Sequence, residues 1–227
     1  MLTHVLYLPS VGQLNDPVDC RPKIAPMSDE QMVTFLRNDC IRRHSVLALN
    51  ELQKEELKIR TSIRIQGLEW FQRELSKLLN AQIEEFRIYS LSKRFNNFSL
   101  WAKYAADHTG YCLEFANEGL LFEKAVEVIY GEYAAFDLND ANRRDAIFLV
   151  HKRPEWSNEE EVRLILPRGK GSTVKMNDPR WLTRVILGMR TSDAHEQQIR
   201  GWAKERKPEL TVVRATFDEL HQELRLV

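Results

Sequence analysis

The sequence has little that would staple, anchor or polarise a chain. Only three cysteines occur, Cys20, Cys40 and Cys112, an odd count with no Cys-x-x-Cys spacing. That excludes a disulfide framework and a paired-cysteine zinc site. Cys112, within the apolar stretch Tyr111-Cys112-Leu113, reads as a small buried hydrophobe. No apolar run reaches the ~18 residues of a membrane span. Met1 to Leu8 shows neither the basic lead nor the long apolar core of a secretion signal. The expectation is a cytoplasmic protein with no membrane partner. Nine glycines and eight prolines in 227 residues exclude collagen-like and linker-like chains. A charge surplus is missing too, with 33 basic residues against 33 acidic ones, which excludes a generic polyanion binder. What is present is 43% hydrophobic and 9% aromatic content. That suffices for a sizeable core, and the length suits a single domain over 1–227.

Familiar catalytic signatures are also lacking. There is no Gly-rich phosphate loop, no Gly-x-Ser-x-Gly elbow and no His-Glu-x-x-His. Gly169-Lys170-Gly171-Ser172 echoes the end of a Walker loop but lacks its earlier glycine.

Along the chain, Val5 to Leu8 predicts a short strand before a proline-rich loop. From Ser28 to Phe86 the only Gly or Pro is Gly67. Ser28-Asp29-Glu30-Gln31 is a capping signal. Leu68, Phe71, Leu75, Leu78 and Leu79 form an amphipathic face. Residues 28–86 are therefore expected to be an inserted block of two or three helices. After Arg87 the period shortens. Strands are expected over Arg87–Ser92, Tyr111–Phe115, Ala125–Tyr130, Glu159–Leu166, Leu182–Leu187 and about Leu210–Ala215. Helices are expected over Leu100–Asp107 and from Ser192-Asp193 to about Arg206. Helices early and strands late argue for an α+β fold, with a mixed, mainly antiparallel sheet core.

Four clusters hold chemistry. In Lys152-Arg153-Pro154-Glu155-Trp156-Ser157-Asn158-Glu159-Glu160-Glu161-Val162-Arg163, strand alternation puts Glu159, Glu161 and Arg163 on one face. Two carboxylates and a guanidinium there suit a site that binds ribose hydroxyls or stabilises an oxocarbenium ion. The plainer reading is a solvated face with cross-strand ion pairs. In the second cluster, Trp101, Tyr104 and Ala105 share a helical face that suits core packing. His108, just before Gly110, reads as a helix-end cap; with no second histidine at ligand spacing, no metal site is expected. The third, Asn15-Asp16-Pro17-Val18-Asp19, is a turn whose polar side chains either hold a ligand or bond their own backbone. The fourth is Arg163 to Arg190, with seven basic residues, one acid and Trp181. It suits either a solvated surface or a strip docking a dinucleotide or nucleic acid.

Read in order, these clusters resemble the bacterial family known as domain of unknown function 2971. Its Asn-Asp-Pro-Phe-Asp element corresponds to Asn15-Asp16-Pro17-Val18-Asp19, with Val18 in place of Phe. Its Phe-Ser-Leu-Ser strand corresponds to Tyr89-Ser90-Leu91-Ser92. Its Trp-x-x-Tyr-Ala…His-x-Gly segment corresponds to Trp101…Tyr104-Ala105…His108-Thr109-Gly110, and its Lys…Trp-x-x-Glu-x-Glu-x-Arg element to Lys152…Trp156…Glu159…Glu161…Arg163. Members have a longer stretch before the first element, with a Tyr-Lys-Tyr-like strand that is not found here. The family's layout is similar to ADP-ribosyltransferase-like folds. The resemblance thus implies an NAD-using transferase, of a kind that serves as a toxin or in phage defence. It implies Glu161 or Glu159 as the catalytic carboxylate. Ser90, Ser92, Asn15, Asp16, Tyr104, His108 and Arg163 would contact the dinucleotide, and a protein or nucleic acid would be the target. The rival expectation is a non-catalytic nucleotide-, nucleic-acid- or partner-binding module. A Mg²⁺ nuclease is a third, if Asp16 or Asp19 folds over Glu159 and Glu161.

Overall fold

The computed structural model describes residues 4–43, 49–116, 121–132, 135–139, 147–167, 169 and 171–227. In chain order the elements are β1 (Val5–Tyr7), α1 (Asp29–Arg43), α2 (Leu49–Gln66), α3 (Leu68–Ile83), β2 (Arg87–Ser92), α4 (Phe98–Tyr104) and β3 (Tyr111–Phe115). There follow β4 (Val126–Glu127), β5 (Ile129–Tyr130), β6 (His151–Lys152), β7 (Glu161–Leu166), β8 (Thr173–Lys175), β9 (Leu182–Leu187), α5 (Asp193–Glu205), β10 (Thr211–Asp218) and β11 (Glu223–Leu226). The fold is α+β, and most strand pairs are antiparallel.

Two sheets carry the architecture. One has the order β11-β10-β9-β3 and the other β2-β7-β4. The pair β9–β10 is parallel because α5 makes the crossover between them. Alternation along β9 divides its side chains between two cores. Val185 and Leu187 join Leu164, Ile199 and Ala203 in one, while Ile186 joins Trp101, Ala215 and Leu224 in the other. The helices α1–α3 fill the block expected to be helical. They gather around Met32, Val33 and Ile63, with Leu138 from outside the block.

Two expected strands begin or break differently. Ala125–Tyr130 is two short strands, β4 and β5, which pair with different partners, β7 and β6. Glu159 is not in a strand. Pro154 opens a 3-10 turn over Pro154–Glu159, and Glu160 ends it in the left-handed region at φ 44°, so β7 starts only at Glu161. The last expected strand runs on to Asp218 because β11 returns along it as a hairpin.

Helix α4 places the later site and is tightly fastened. Asn97 caps it, accepting from the amides of Ser99 and Leu100 at 3.0 and 3.4 Å. Beyond its end, Ala106, Asp107 and His108 have successive φ values of 46°, 52° and 66°. This costly run of left-handed residues is held by the turn that follows β9. The Arg190 amide donates to the His108 carbonyl at 3.0 Å and the Gly188 amide to the Gly110 carbonyl at 2.9 Å. Gly188 is required here, because an added Cβ would overlap the His108 carbonyl oxygen. Gly188→Ala is expected to destabilise the protein by about 1–3 kcal/mol, measured by urea denaturation. Wild-type stability in that variant would show that the close approach is not tight.

Candidate functional site

The loop 15–20, helix α4, the 152–160 segment and β7 converge on one network of charged side chains. Its centre is Arg163, which has no exposed surface. The guanidinium Nε donates to Glu161 Oε1 at 2.7 Å and Nη2 to Asp19 Oδ2 at 2.6 Å. Nη1 donates to the Leu149 carbonyl at 2.8 Å and contacts Cys20 Sγ at 3.0 Å. A fully buried cation is tolerated only when its donors find partners like these.

Lys152 is the second hub. Its Nζ lies 2.7 Å from Glu159 Oε2, 2.8 Å from Glu161 Oε2 and 3.8 Å from Asp19 Oδ2. One ammonium therefore joins both glutamates. The same group lies 4.8 Å from the Trp156 ring centroid. The Glu161 amide is fixed by the Tyr130 hydroxyl at 2.7 Å.

The network reaches the surface through Tyr104, which is 54% exposed. Its hydroxyl donates to Glu159 Oε1 at 3.0 Å and accepts from Asn15 Nδ2 at 2.9 Å. Exposed Lys103 approaches Glu159 Oε1 at 3.7 Å. Asn97 Nδ2 donates to the Asn158 carbonyl and Arg94 pairs with Glu160, so α4 and the turn bearing Glu159 are stapled together.

The charge states follow from competing effects. Burial pushes the Glu161 carboxyl up, but the hydrogen bonds and charges of Arg163 and Lys152 outweigh it, leaving the group below its ordinary value. Burial favours a neutral Lys152, yet the charge of Glu161 and the bonds to both glutamates raise its pKa instead. Burial, then the adjacent Glu159 charge, push Tyr104 up to about 12, so it is a neutral donor. Burial likewise pushes the Cys20 thiol up, so it faces Arg163 as a thiol and not as a thiolate.

Several expected residues meet here: Asn15, Tyr104, Glu159, Glu161 and Arg163. The solvated-face reading is overturned, since Glu159 and Glu161 are only 4% and 5% exposed. Asp16 fits the backbone-bonding reading of its loop, since Oδ1 accepts from the Val18 amide at 3.0 Å, and Oδ2 pairs with Arg153 at 3.3 Å. Tyr104 leaves the core face predicted for it, because α4 ends there and the phenol finds polar partners, while Trp101 and Ala105 stay buried. Register places Ser90 opposite Arg163 and Ser92 opposite Glu161. Ser90 is exposed, and the Ser92 hydroxyl donates to the Glu159 carbonyl at 2.9 Å, which makes it a brace for the turn. His108 lies elsewhere, buried and stacked on Trp101 with ring centroids 6.2 Å apart.

Lys152, Cys20, Trp156 and Tyr130 belong to the network without having been singled out, and Asp19, named only as a possible metal holder, meets Arg163 and Lys152 instead. Lys152, Trp156 and Asp19 stood within quoted motifs, whereas Cys20 and Tyr130 carried no sequence signal. The basic stretch is not one surface. Arg163 is buried, and Arg180, Arg184 and Arg190 pair with Asp178, Glu114 and Asp107. Arg168 and Lys170 lie outside the described residues. No three His, Cys, Asp or Glu side chains among the described residues are disposed to hold a metal ion. No helix of the described residues is long and apolar enough to cross a membrane.

Removing Arg163 would strand Glu161 and Asp19 in a dry site. Arg163→Met is expected to cost about 3–5 kcal/mol, and Arg163→Lys less, because it keeps the charge but not the fork. Urea denaturation checks both, and equal losses would contradict the bidentate role. The depressed carboxyl of Glu161 also makes stability depend on pH. Its contribution is present above the ordinary carboxylate value of 4.5 and is lost as pH falls through the lower folded value. Melting temperature should therefore fall on acidification below about pH 5, and less steeply in Glu161→Gln. Parallel slopes would contradict the assignment.

No curated protein and no solved structure matches the chain. Residues 100–164 match the family described as "Protein of unknown function (DUF2971)". The matched stretch runs from α4 into β7 and contains Tyr104, Lys152, Glu159, Glu161 and Arg163. Over these residues the resemblance read from the motifs holds, whereas the elements at 15–19 and 89–92 lie outside the matched stretch.

Proposed function

We propose that the protein is an NAD-using, ADP-ribosyltransferase-like enzyme whose acting carboxylate is Glu159. The observation that carries this reading is the Glu159–Lys152–Glu161 arrangement below a half-exposed Tyr104–Asn15 rim. Cleaving a ribosyl–nicotinamide bond builds positive charge on the ribose ring, and a fixed carboxylate favours that charge. Glu161 is less suited to the role, because Arg163 and Lys152 occupy both of its oxygens. Glu159 has one oxygen toward the rim. Glu161 and Lys152 then position it.

The residues at the rim fit such a dinucleotide in part. The Tyr104 ring and Asn15 amide can meet sugar hydroxyls and a base, and partly exposed Lys103 and Arg153 can meet phosphates. Ser92 departs from the expected pattern, since its hydroxyl already serves the Glu159 carbonyl. Action against a cellular target, as a toxin or in phage defence, remains part of this proposal. The paired arginines of the 163–190 stretch lend less support to a nucleic-acid-binding module.

Purified protein incubated with millimolar NAD is expected to release nicotinamide or label a target. Glu159→Gln should lower that rate by about 10²-fold or more while the melting curve stays cooperative. A wild-type protein that neither binds nor consumes NAD would contradict the proposal.

A further inference from the structure

The buried network is not electrically balanced. Asp19, Glu159 and Glu161 are three buried carboxylates against two buried cations, Lys152 and Arg163. An unmatched buried charge is costly and draws a further cation toward it. The residue that answers is Lys103, on α4. Its Nζ stands 3.7 Å from Glu159 Oε1, beyond hydrogen-bond distance, and 4.5 Å from the Trp156 ring centroid. The Lys103 side chain is 42% exposed, so it leaves this position for water at little cost. Lys152 differs, being buried and hydrogen-bonded to both glutamates. The indole N–H of Trp156 is buried and has no acceptor among the described residues, so the ring meets a ligand through its face and not through this edge.

We infer that the Trp156 ring and the Glu159 carboxylate form a subsite for a planar organic cation, in which Lys103 is a displaceable placeholder. The inference deepens the transferase reading of this site and rests on it for the identity of the natural ligand. A planar delocalised cation is more weakly hydrated than an ammonium and covers more of an indole face. It therefore gains more than Lys103 does from the same ring and carboxylate. The chemistry has two sources: the pyridinium of oxidised nicotinamide, or the guanidinium of an arginine side chain on a target. Glu159 would face the positive charge in either case.

The test is equilibrium calorimetry on the full chain, comparing wild type, Lys103→Met, Lys103→Met/Trp156→Leu and Lys103→Met/Trp156→Phe. The probes are 1-methylnicotinamide, N-acetylarginine amide and neutral nicotinamide. Lys103→Met should bind at least one cation about tenfold more tightly than wild type, and the cation that gains more identifies the source. Nicotinamide should bind at least about tenfold more weakly than that cation. Trp156→Leu should remove the gain and Trp156→Phe should restore part of it, with thermal melts confirming that each variant folds. A subsite made of general negative charge would keep the gain in Trp156→Leu, and that result would overturn the inference. So would equal binding of nicotinamide, or no gain for either cation. No turnover is measured. A protein that shows the gain but never consumes NAD keeps the subsite and loses the transferase reading; turnover without the gain does the reverse.

Discussion

The structure depends on a single buried guanidinium. Arg163 lies in the middle of β7 with no access to water, so its donors must be met from inside the protein. They are met by Glu161 two residues back, by Asp19 from the N-terminal loop, and by the Leu149 carbonyl. Those partners belong to segments far apart in the chain. The arginine therefore fixes where the loop and the 147–152 segment lie against the sheet. Hydrophobic surface alone does not specify such a placement, because apolar contacts are not directional.

The second hub follows from the first. Lys152 shares Glu161 with Arg163 and carries the charge pattern out to Glu159. Tyr104 then connects Glu159 to the surface and to Asn15. Helix α4 has only seven residues, too short to stand alone. It is positioned by Trp101 in the core, the Asn97 cap and the left-handed turn at 106–108. A polar site between β7 and such a helix keeps its geometry only while all of these fastenings hold.

The local elements were largely legible in the sequence. β2 and β9 match their expected bounds, β2 through its alternation and β9 through its apolar Val185-Ile186-Leu187 run ended by Gly188. The Ser192 start of α5 is a real cap, its hydroxyl accepting from the His195 amide at 3.3 Å. The missed boundary at Glu159 came from Glu160, a left-handed residue that glutamate rarely signals. The pairing of acids with a nearby arginine was also legible, but its burial was not. Alternation shows which residues share a face, whereas what covers that face depends on long-range closure. Tyr130, Cys20 and the role of Lys152 became visible only when distant segments met. The pairing within the basic run at 163–190 was hidden for a related reason: apart from Asp178, the acids that meet its arginines, Glu114 and Asp107, come from other parts of the chain.

The Asp19 loop and β7 are joined by an ionic contact across 144 residues of sequence. A double-mutant cycle on unfolding free energy tests it most directly, using Asp19→Ala, Arg163→Met and the pair together. A coupling of about 1.5–3 kcal/mol is expected, with the double variant far less destabilised than the sum of the singles. Additivity to within about 0.5 kcal/mol would contradict it.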